Sequence, residues 1–384
     1  MPVYCNLLWP SRPAALQTPR GDIVLGLCAR CGFVYNFAFD PDRLRYAPGY
    51  ENSLHFSPHF QSYAQALAGR LIAQYNLRNK DIIEIGCGHG DFLALLCELG
   101  GNRGVGFDPT CANGTSNGRP AKNMIFIRDF YSERYANHPS DFICCRHVLE
   151  HIPHPKQFLR GIRRAIGDRR HAVVFFEVPN VLFTLRDKGI WDIIYEHCSY
   201  FGAPSLAYLF SACGFEVSKT SDAFEGQFLC LEAKPAESRE EFSMTLGDGA
   251  ERVGGYVADF AANYENQVRA WKRKLEQIKR DGKRVVVWGA GSKGVTFLNT
   301  LKLPDQIKYV VDINPRKQGM FVAGTGQQIV PPEFLQTYRP DVVIVMNPIY
   351  RDEIRHILAT LNVAAETLVA YGKDAGRSAG NPHD

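Results

Sequence analysis

"DIIEIGCGHGDF", Asp81 to Phe92, is an apolar run that breaks into glycines at 86, 88 and 90, with an acidic residue, Glu84, two positions before the first of them. A turn between a buried strand and a helix uses glycine in this way. Without a Cβ, the backbone accepts positive φ and can approach a ligand closely. The stretch therefore predicts a strand, a ligand-binding turn and the start of a helix. An alternating series extends from it in both directions. Upstream, "SPHFQSYAQALAGRLIAQY" sets Phe60, Ala64, Leu67, Leu71 and Ile72 at helical spacing. Downstream come helix "DFLALLCELG", strand "RGVGFD", a polar loop, and strands "MIFIRD" and "DFICCR". Helix "PKQFLRGIRRAI", strand "AVVFFEVP" and, after a long loop, helix "SLAYLFSACG" complete it. Strands alternating with helices predict an α/β fold, doubly wound around a mostly parallel sheet.

The acidic residues that close successive strands point to the ligand. NAD usually takes G-x-G-x-x-G, with its pyrophosphate on the helix N-terminus. S-adenosylmethionine carries no phosphate and offers an amino-acid head, a sulfonium, a ribose diol and an adenine. Glu84 suits the cationic amino group, Asp108 the two ribose hydroxyls, and Asp129 the adenine amino group with Phe130 beside the ring. His147, after the fourth strand, begins a string similar to one that packs beside the cofactor in class I methyltransferases, which implies the same place for it here. The expected cofactor set is Glu84, Gly86, Gly88, Gly90, Asp108, Asp129, Phe130 and His147. His147 also opens "HVLEH", which matches the H-x-x-E-H of inverted zinc proteases. That chemistry needs a further ligand from a neighbouring helix, whereas this match directly follows a strand of a cofactor-binding sheet.

A second glycine turn lies 200 residues on. "RVVVWGAGSKGV", Arg284 to Val295, carries G-A-G-S-K-G, and Asp312 closes the next apolar run. Alone it would read as an NAD site. The chain of 384 residues is long enough for two or three domains, each with its own core. Its net charge of +4 is spread along the sequence, which gives no case for nucleic acid and suits an anionic small molecule. No apolar run reaches membrane-spanning length, and "MPVYCNLLWPSRP" lacks a secretory signal's features, so a cytoplasmic protein is expected. The 11 cysteines are scattered through apolar segments as small hydrophobes, and "CARC", Cys28 to Cys31, alone has ligand spacing.

Together "EIGCGHGDF", "GFDPT", "RDFY" and "HVLEHI" resemble the class I S-adenosylmethionine-dependent methyltransferases. "FEVPN", "YEHCSYF" and "GAGSKGVTFLN…YVVDINPRKQG" are similar to the C-methyltransferases that act on nucleotide-linked keto-sugars. That resemblance implies three parts, an N-terminal zinc-type module at 1–50, a methyltransferase domain at 51–237 and a last domain, which is set off by a connector whose own residue pattern is helical at 238–280. That last domain is a Rossmann-like substrate domain at 281–374, and a disordered tail at 375–384 follows. It implies no redox role for the second turn, whose amides and Lys293 would face the anionic part of the substrate. It also implies a structural zinc. The family has two C-x-x-C pairs, but the first is reduced here to Cys5, which leaves Cys5, Cys28 and Cys31 with His55 or His59 as a fourth ligand. Carbon methylation requires removal of a proton α to a carbonyl. His197 is the expected base and Glu196 its support or substitute, with Tyr195 and Tyr50 as donors to the enolate oxygen. Asn180 and Tyr200 are expected to contact substrate. An O- or N-methyltransferase of a biosynthetic intermediate, and a non-catalytic cofactor-binding protein, remain as alternatives.

Overall fold

The computed structural model describes residues 1–44, 49–111, 115–116, 119–120, 123–237, 249–303 and 305–372. The expected tail and the first part of the connector, 238–248, lie outside the described residues. The glycine turn at 86–90 sits at the centre of a seven-stranded sheet. In spatial order its strands are Phe215–Ala223, Phe228–Pro235, Val173–Pro179, Phe142–Arg146, Asp81–Ile85, Arg103–Phe107 and Met124–Ile127. The last five run parallel, and Phe228–Pro235 pairs antiparallel with both of its neighbours. Strands buried on both faces need apolar residues at successive positions rather than alternate ones. "FICCR" and "VVFFEVP" have that character, and Phe142 to Cys145 are all fully buried.

The sequence reading named no strand between 211 and 237. The first strand of the hairpin there, Phe215–Ala223, is half-exposed and lacks the continuous apolar run that marks the other strands, whereas the second, Phe228–Pro235, is buried and does carry one in "FLCL". Its turn uses three successive positive-φ residues, Phe224, Glu225 and Gly226. The helix Pro58–Tyr75 begins as its sequence dictates. Ser57 caps it by accepting from the Phe60 amide at 3.2 Å, Pro58 occupies the first turn, and Asn76 ends it with φ 49°. Its buried stripe of Phe60, Ala64, Leu67, Ala68, Leu71 and Ile72 packs with the helix Asp91–Gly100 on one face of the sheet.

A second, fully parallel sheet holds the other glycine turn. Its order is Gln328–Val330, Ile307–Val311, Val285–Trp288, Val342–Val345 and Glu366–Val369. The helix Gly249–Arg280 precedes it. One hydrophobic core joins Trp271 and Leu275 of that helix to Trp191, Ile194 and Tyr200 and to Val285 and Phe297. The N-terminal region is less irregular than its composition suggests. Leu25–Leu27 and Val34–Asn36 form an antiparallel pair, extended by Ser199–Tyr200. Bridges Leu7–Tyr50 and Trp9–Phe321 tie it further. No helix among the described residues is long and apolar enough to cross a membrane.

Candidate active site

Gly86, Gly88 and Gly90 all take positive φ, at 71°, 53° and 79°. A Cβ on Gly86 would lie 2.1 Å from Val148 Cγ2, whereas one on Gly88 would meet nothing within 4 Å. The turn is therefore packed on one side and open on the other, as a ligand cradle requires. Glu84 is buried beneath it, with Oε2 accepting from the Leu93 amide at 3.0 Å, and burial pushes its carboxyl up to about 8. Asp108 reaches the turn from the next strand. Its Oδ2 accepts from the Gly88 amide at 3.0 Å and its Oδ1 from Thr110 N and Oγ1. Oδ2 keeps a second lone pair for a ligand, whereas Thr110 takes both of those on Oδ1.

The structure does not bring Asp129 and Phe130 to the cavity. The Asp129 carboxylate is taken by Tyr135 and Arg134, and the Phe130 ring is 61% exposed. His147 does line the cavity, with φ 54°. Its imidazole stands between Glu177 at 2.9 Å and Glu150 at 3.6 Å. Burial alone would lower its pKa, but the two carboxylates reverse the sign and hold it at about 9. The H-x-x-E-H match fails as a protease motif. Leu149–His151 is a single 3-10 turn, and His147 is spent on the carboxylates.

One cavity of about 360 Å³ reaches both glycine turns, with Gly86 and Gly88 on one wall and Gly289, Gly291 and Gly294 on another. His197 lines it, beside His151 at a ring separation of 4.9 Å. Burial, then the nearby His151 and His147, drive the His197 pKa well below its ordinary value. His151 Nδ1 lies 2.9 Å from the Glu196 carbonyl. A carbonyl only accepts, so Nδ1 carries the proton and Nε2 is the basic nitrogen of the neutral ring. Sequence reasoning missed His151 as a site residue. The signal is the second histidine of "HVLEHI", which in the sequence reads only as part of a metal motif.

Glu196 is fully buried and does not line the cavity. Its Oε2 accepts from the Cys5 amide at 2.9 Å, Tyr50 hydrogen-bonds its carboxyl, and burial raises its pKa. Tyr195 is equally remote, its hydroxyl accepting from Asp40 N at 2.9 Å and so fastening the N-terminal region. Asn180 caps the helix Val181–Arg186 and donates to Asp222 and to the Gly226 carbonyl, away from the cavity. Tyr200 presents its ring to the cavity, but its hydroxyl donates to the Ile194 carbonyl at 3.1 Å. Tyr50 does line the cavity.

Lys293 also lines it, although its ammonium is paired with Asp192 at 2.5 Å. The second turn packs tightly, and a Cβ on Gly294 would lie 2.0 Å from the Gly289 carbonyl oxygen. Asp312 accepts from Ala290 N and Asn314 N, both at 2.8 Å, so it braces this turn as Asp108 braces the first.

The three expected zinc ligands do not converge. Cys5 is buried against Glu196, and burial then keeps its thiol protonated well above the usual range. Cys28 and Cys31 interact with each other, where backbone amides lower the first and burial raises the second. Among the described residues, the group of three ligand atoms within 4.8 Å is instead Glu150, His151 and His197.

Residues 59–220 match the methyltransferase-domain family, and residues 247–371 match the C-methyltransferase C-terminal domain. The C-methyltransferase NovU of Streptomyces niveus is 29% identical over 288 residues, covering 71% of this chain and 67% of that protein. Many solved structures are similar, two of them as follows. Magnesium protoporphyrin IX methyltransferase from Synechocystis PCC 6803, with bound S-adenosylhomocysteine, has a TM-score of 0.37 at 16% identity and covers 50% of this chain and 91% of that one. The 1,6-didemethyltoxoflavin-N1-methyltransferase of Burkholderia thailandensis has a TM-score of 0.35 at 15% identity and covers 57% and 100%.

Proposed function

Because the chain is an S-adenosylmethionine-dependent methyltransferase with a C-methyltransferase C-terminal domain, we propose that it methylates a carbon beside a carbonyl on a nucleotide-linked keto-sugar. The shared cavity supports this most: the cofactor turn, the second glycine turn and a histidine pair all open into it. A carbon acid is far weaker than any side-chain acid, so a positioned neutral base is needed. His197, held neutral by burial, takes the α-proton, and the electron pair moves onto the carbonyl oxygen. Tyr50 lines the cavity, and its hydroxyl, which bonds the Glu196 carboxyl, would have to turn to the substrate oxygen to meet that developing charge. Glu196 positions rather than reacts, its carbonyl orienting His151 and its carboxyl holding Cys5. When bound, S-adenosylmethionine supplies an electrophilic methyl on a sulfonium, and the carbon–sulfur pair returns to sulfur as the new carbon–carbon bond forms. The direct test incubates the protein with nucleoside-diphosphate keto-sugars and the cofactor. S-adenosylhomocysteine release together with a C-methyl resonance is the expected outcome, and an O-methyl product would overturn the scheme.

Two consequences concern the cofactor. Asp108→Ala is expected to weaken S-adenosylhomocysteine binding by about 1.5–3 kcal/mol, the range for a hydrogen bond to a charged group. An unchanged calorimetric affinity would remove Asp108 from the site. Glu84 gives a pH signature. With its carboxyl at about 8 in the buried, unliganded state, it is mostly protonated at pH 7. An ammonium placed beside it favours the carboxylate, so binding should release a proton. Calorimetry at pH 7 in buffers of different ionisation enthalpy reads this directly. A binding enthalpy independent of buffer would contradict an ammonium at Glu84.

A further inference from the structure

We propose that Lys317, together with the main-chain amides opening the helix Ser292–Leu301, is the anion receptor of the cavity and takes the diphosphate of the substrate. Lys293 is then a strut. The inference rests on the nucleotide-linked substrate proposed above. Lys317 lines the cavity yet is only 6% exposed, and among the described residues its ammonium has neither an ion pair nor a hydrogen bond. The neighbouring carboxylates are engaged elsewhere. Asp192 pairs with Lys293, and Asp312 accepts from two backbone amides. Glu51 bridges His89, Asn314 and Arg316, and Glu353 accepts from Ser57 and the His59 amide. A buried ammonium without a counter-charge is costly, and an incoming anion removes that cost.

The second observation is the helix itself. It is ten residues long, its N-cap is Gly291, no side chain caps it, and its first turn holds no acidic residue. Its opening amides therefore have no side-chain acceptor, and Gly291, Ser292 and Gly294 line the cavity. Lys317 Nζ stands 4.0 Å from the position a Cβ would take on Gly291, and Asn6 Oδ1 stands at the same distance. Ammonium and amides thus converge on one point, with space for an oxyanion left by the missing side chain. Lys293 starts from that same turn, but its charge is already neutralised at 2.5 Å by Asp192. A phosphate or diphosphate fits this arrangement. The cofactor's own carboxylate has related chemistry, and the test separates the two.

Calorimetry on the full chain should use uridine and thymidine diphosphates, inorganic pyrophosphate and, separately, S-adenosylhomocysteine. Lys317→Gln should weaken the diphosphates and pyrophosphate roughly tenfold or more and leave S-adenosylhomocysteine unchanged, as loss of a charge-assisted contact predicts. Lys317→Arg should retain most of the diphosphate affinity. Equal diphosphate binding by wild type and Lys317→Gln overturns the receptor and leaves the substrate reading standing. Loss of S-adenosylhomocysteine alone assigns Lys317 to the cofactor and also overturns it. If wild type binds no diphosphate or pyrophosphate, the substrate reading falls and the receptor with it. Should Lys317→Gln not fold, acetylation of the wild-type protein gives the answer. Pyrophosphate should protect Lys317, and unaltered labelling there refutes the proposal.

Discussion

Replacing His197 by asparagine is expected to lower kcat by about 10²–10⁴ while S-adenosylhomocysteine binding stays intact. Asparagine keeps the polarity and much of the volume of imidazole but cannot accept the α-proton. The environment argues for the neutral ring as the working form. Burial and the positive charge of His147, held at about 9 by its carboxylates, both oppose protonation of His197. The acid limb of the kcat–pH profile, where a base gains its proton and activity falls, should therefore lie below the ordinary histidine range. It should be absent from the residual activity of the variant. Without cofactor, wild type should exchange the substrate α-proton with deuterated water, and His197→Asn should not. Wild-type exchange in the variant would transfer the role to His151, whose ring lies 4.9 Å away and whose Nδ1 is already fixed on the Glu196 carbonyl.

The parts of this site that could be read in the sequence are those fixed by backbone geometry. Gly86, Gly88 and Gly90 all take positive φ, a conformation that favours glycine, so their spacing alone located the turn that opens into the cavity. The long buried strands carried their own signature, because a strand covered on both faces must be apolar throughout. What could not be read depends on where a side chain points. Tyr195, Glu196 and His197 are consecutive, but only His197 faces the cavity, while the other two fasten the N-terminal region through Asp40 and Cys5. Three adjacent residues on a loop have no periodicity to assign them to sides. Lys293 and Lys317 pose the same difficulty at longer range. The first looked like the anion contact because it sits within the glycine turn. Its neutralisation by Asp192 comes from a segment about a hundred residues earlier, which no local pattern reveals. The cysteines failed for a related reason. Spacing identifies a C-x-x-C pair, but whether Cys5 joins it depends on packing of the whole N-terminal region, which instead buries Cys5 against Glu196.

Glu177→Ala should be the most destabilising single change considered for this protein, costing about 3–5 kcal/mol, the usual consequence of removing one partner from a buried ion pair. Glu177 is fully buried at the end of the strand Val173–Pro179. It accepts from Arg146 at 2.7 and 3.1 Å, pairs with His147 at 2.9 Å and accepts from the Tyr63 hydroxyl. Burial alone would raise its pKa, yet the Arg146 guanidinium and His147 hold it down to about 2. Alanine would leave the Arg146 charge in the interior with no counter-charge in contact, directly under the cavity it lines. The pH dependence follows from the two opposite shifts. Glu177 has a folded pKa below its ordinary 4.5, so its contribution is complete above 4.5 and is lost as the pH falls toward about 2. His147 has a folded pKa above its ordinary 6.5, so its contribution is complete below 6.5 and is lost as the pH rises through about 9. The stability gap between wild type and Glu177→Ala in urea unfolding should therefore be widest between about pH 4.5 and 6.5 and narrow on either side. Glu177→Gln, which keeps the shape and some hydrogen bonds, should fall between the two. If the gap were as wide at pH 9.5 as at pH 6, His147 would not be a charged partner of Glu177. If Glu177→Ala unfolded at the wild-type urea midpoint, the network beneath the cavity would contribute nothing to the fold.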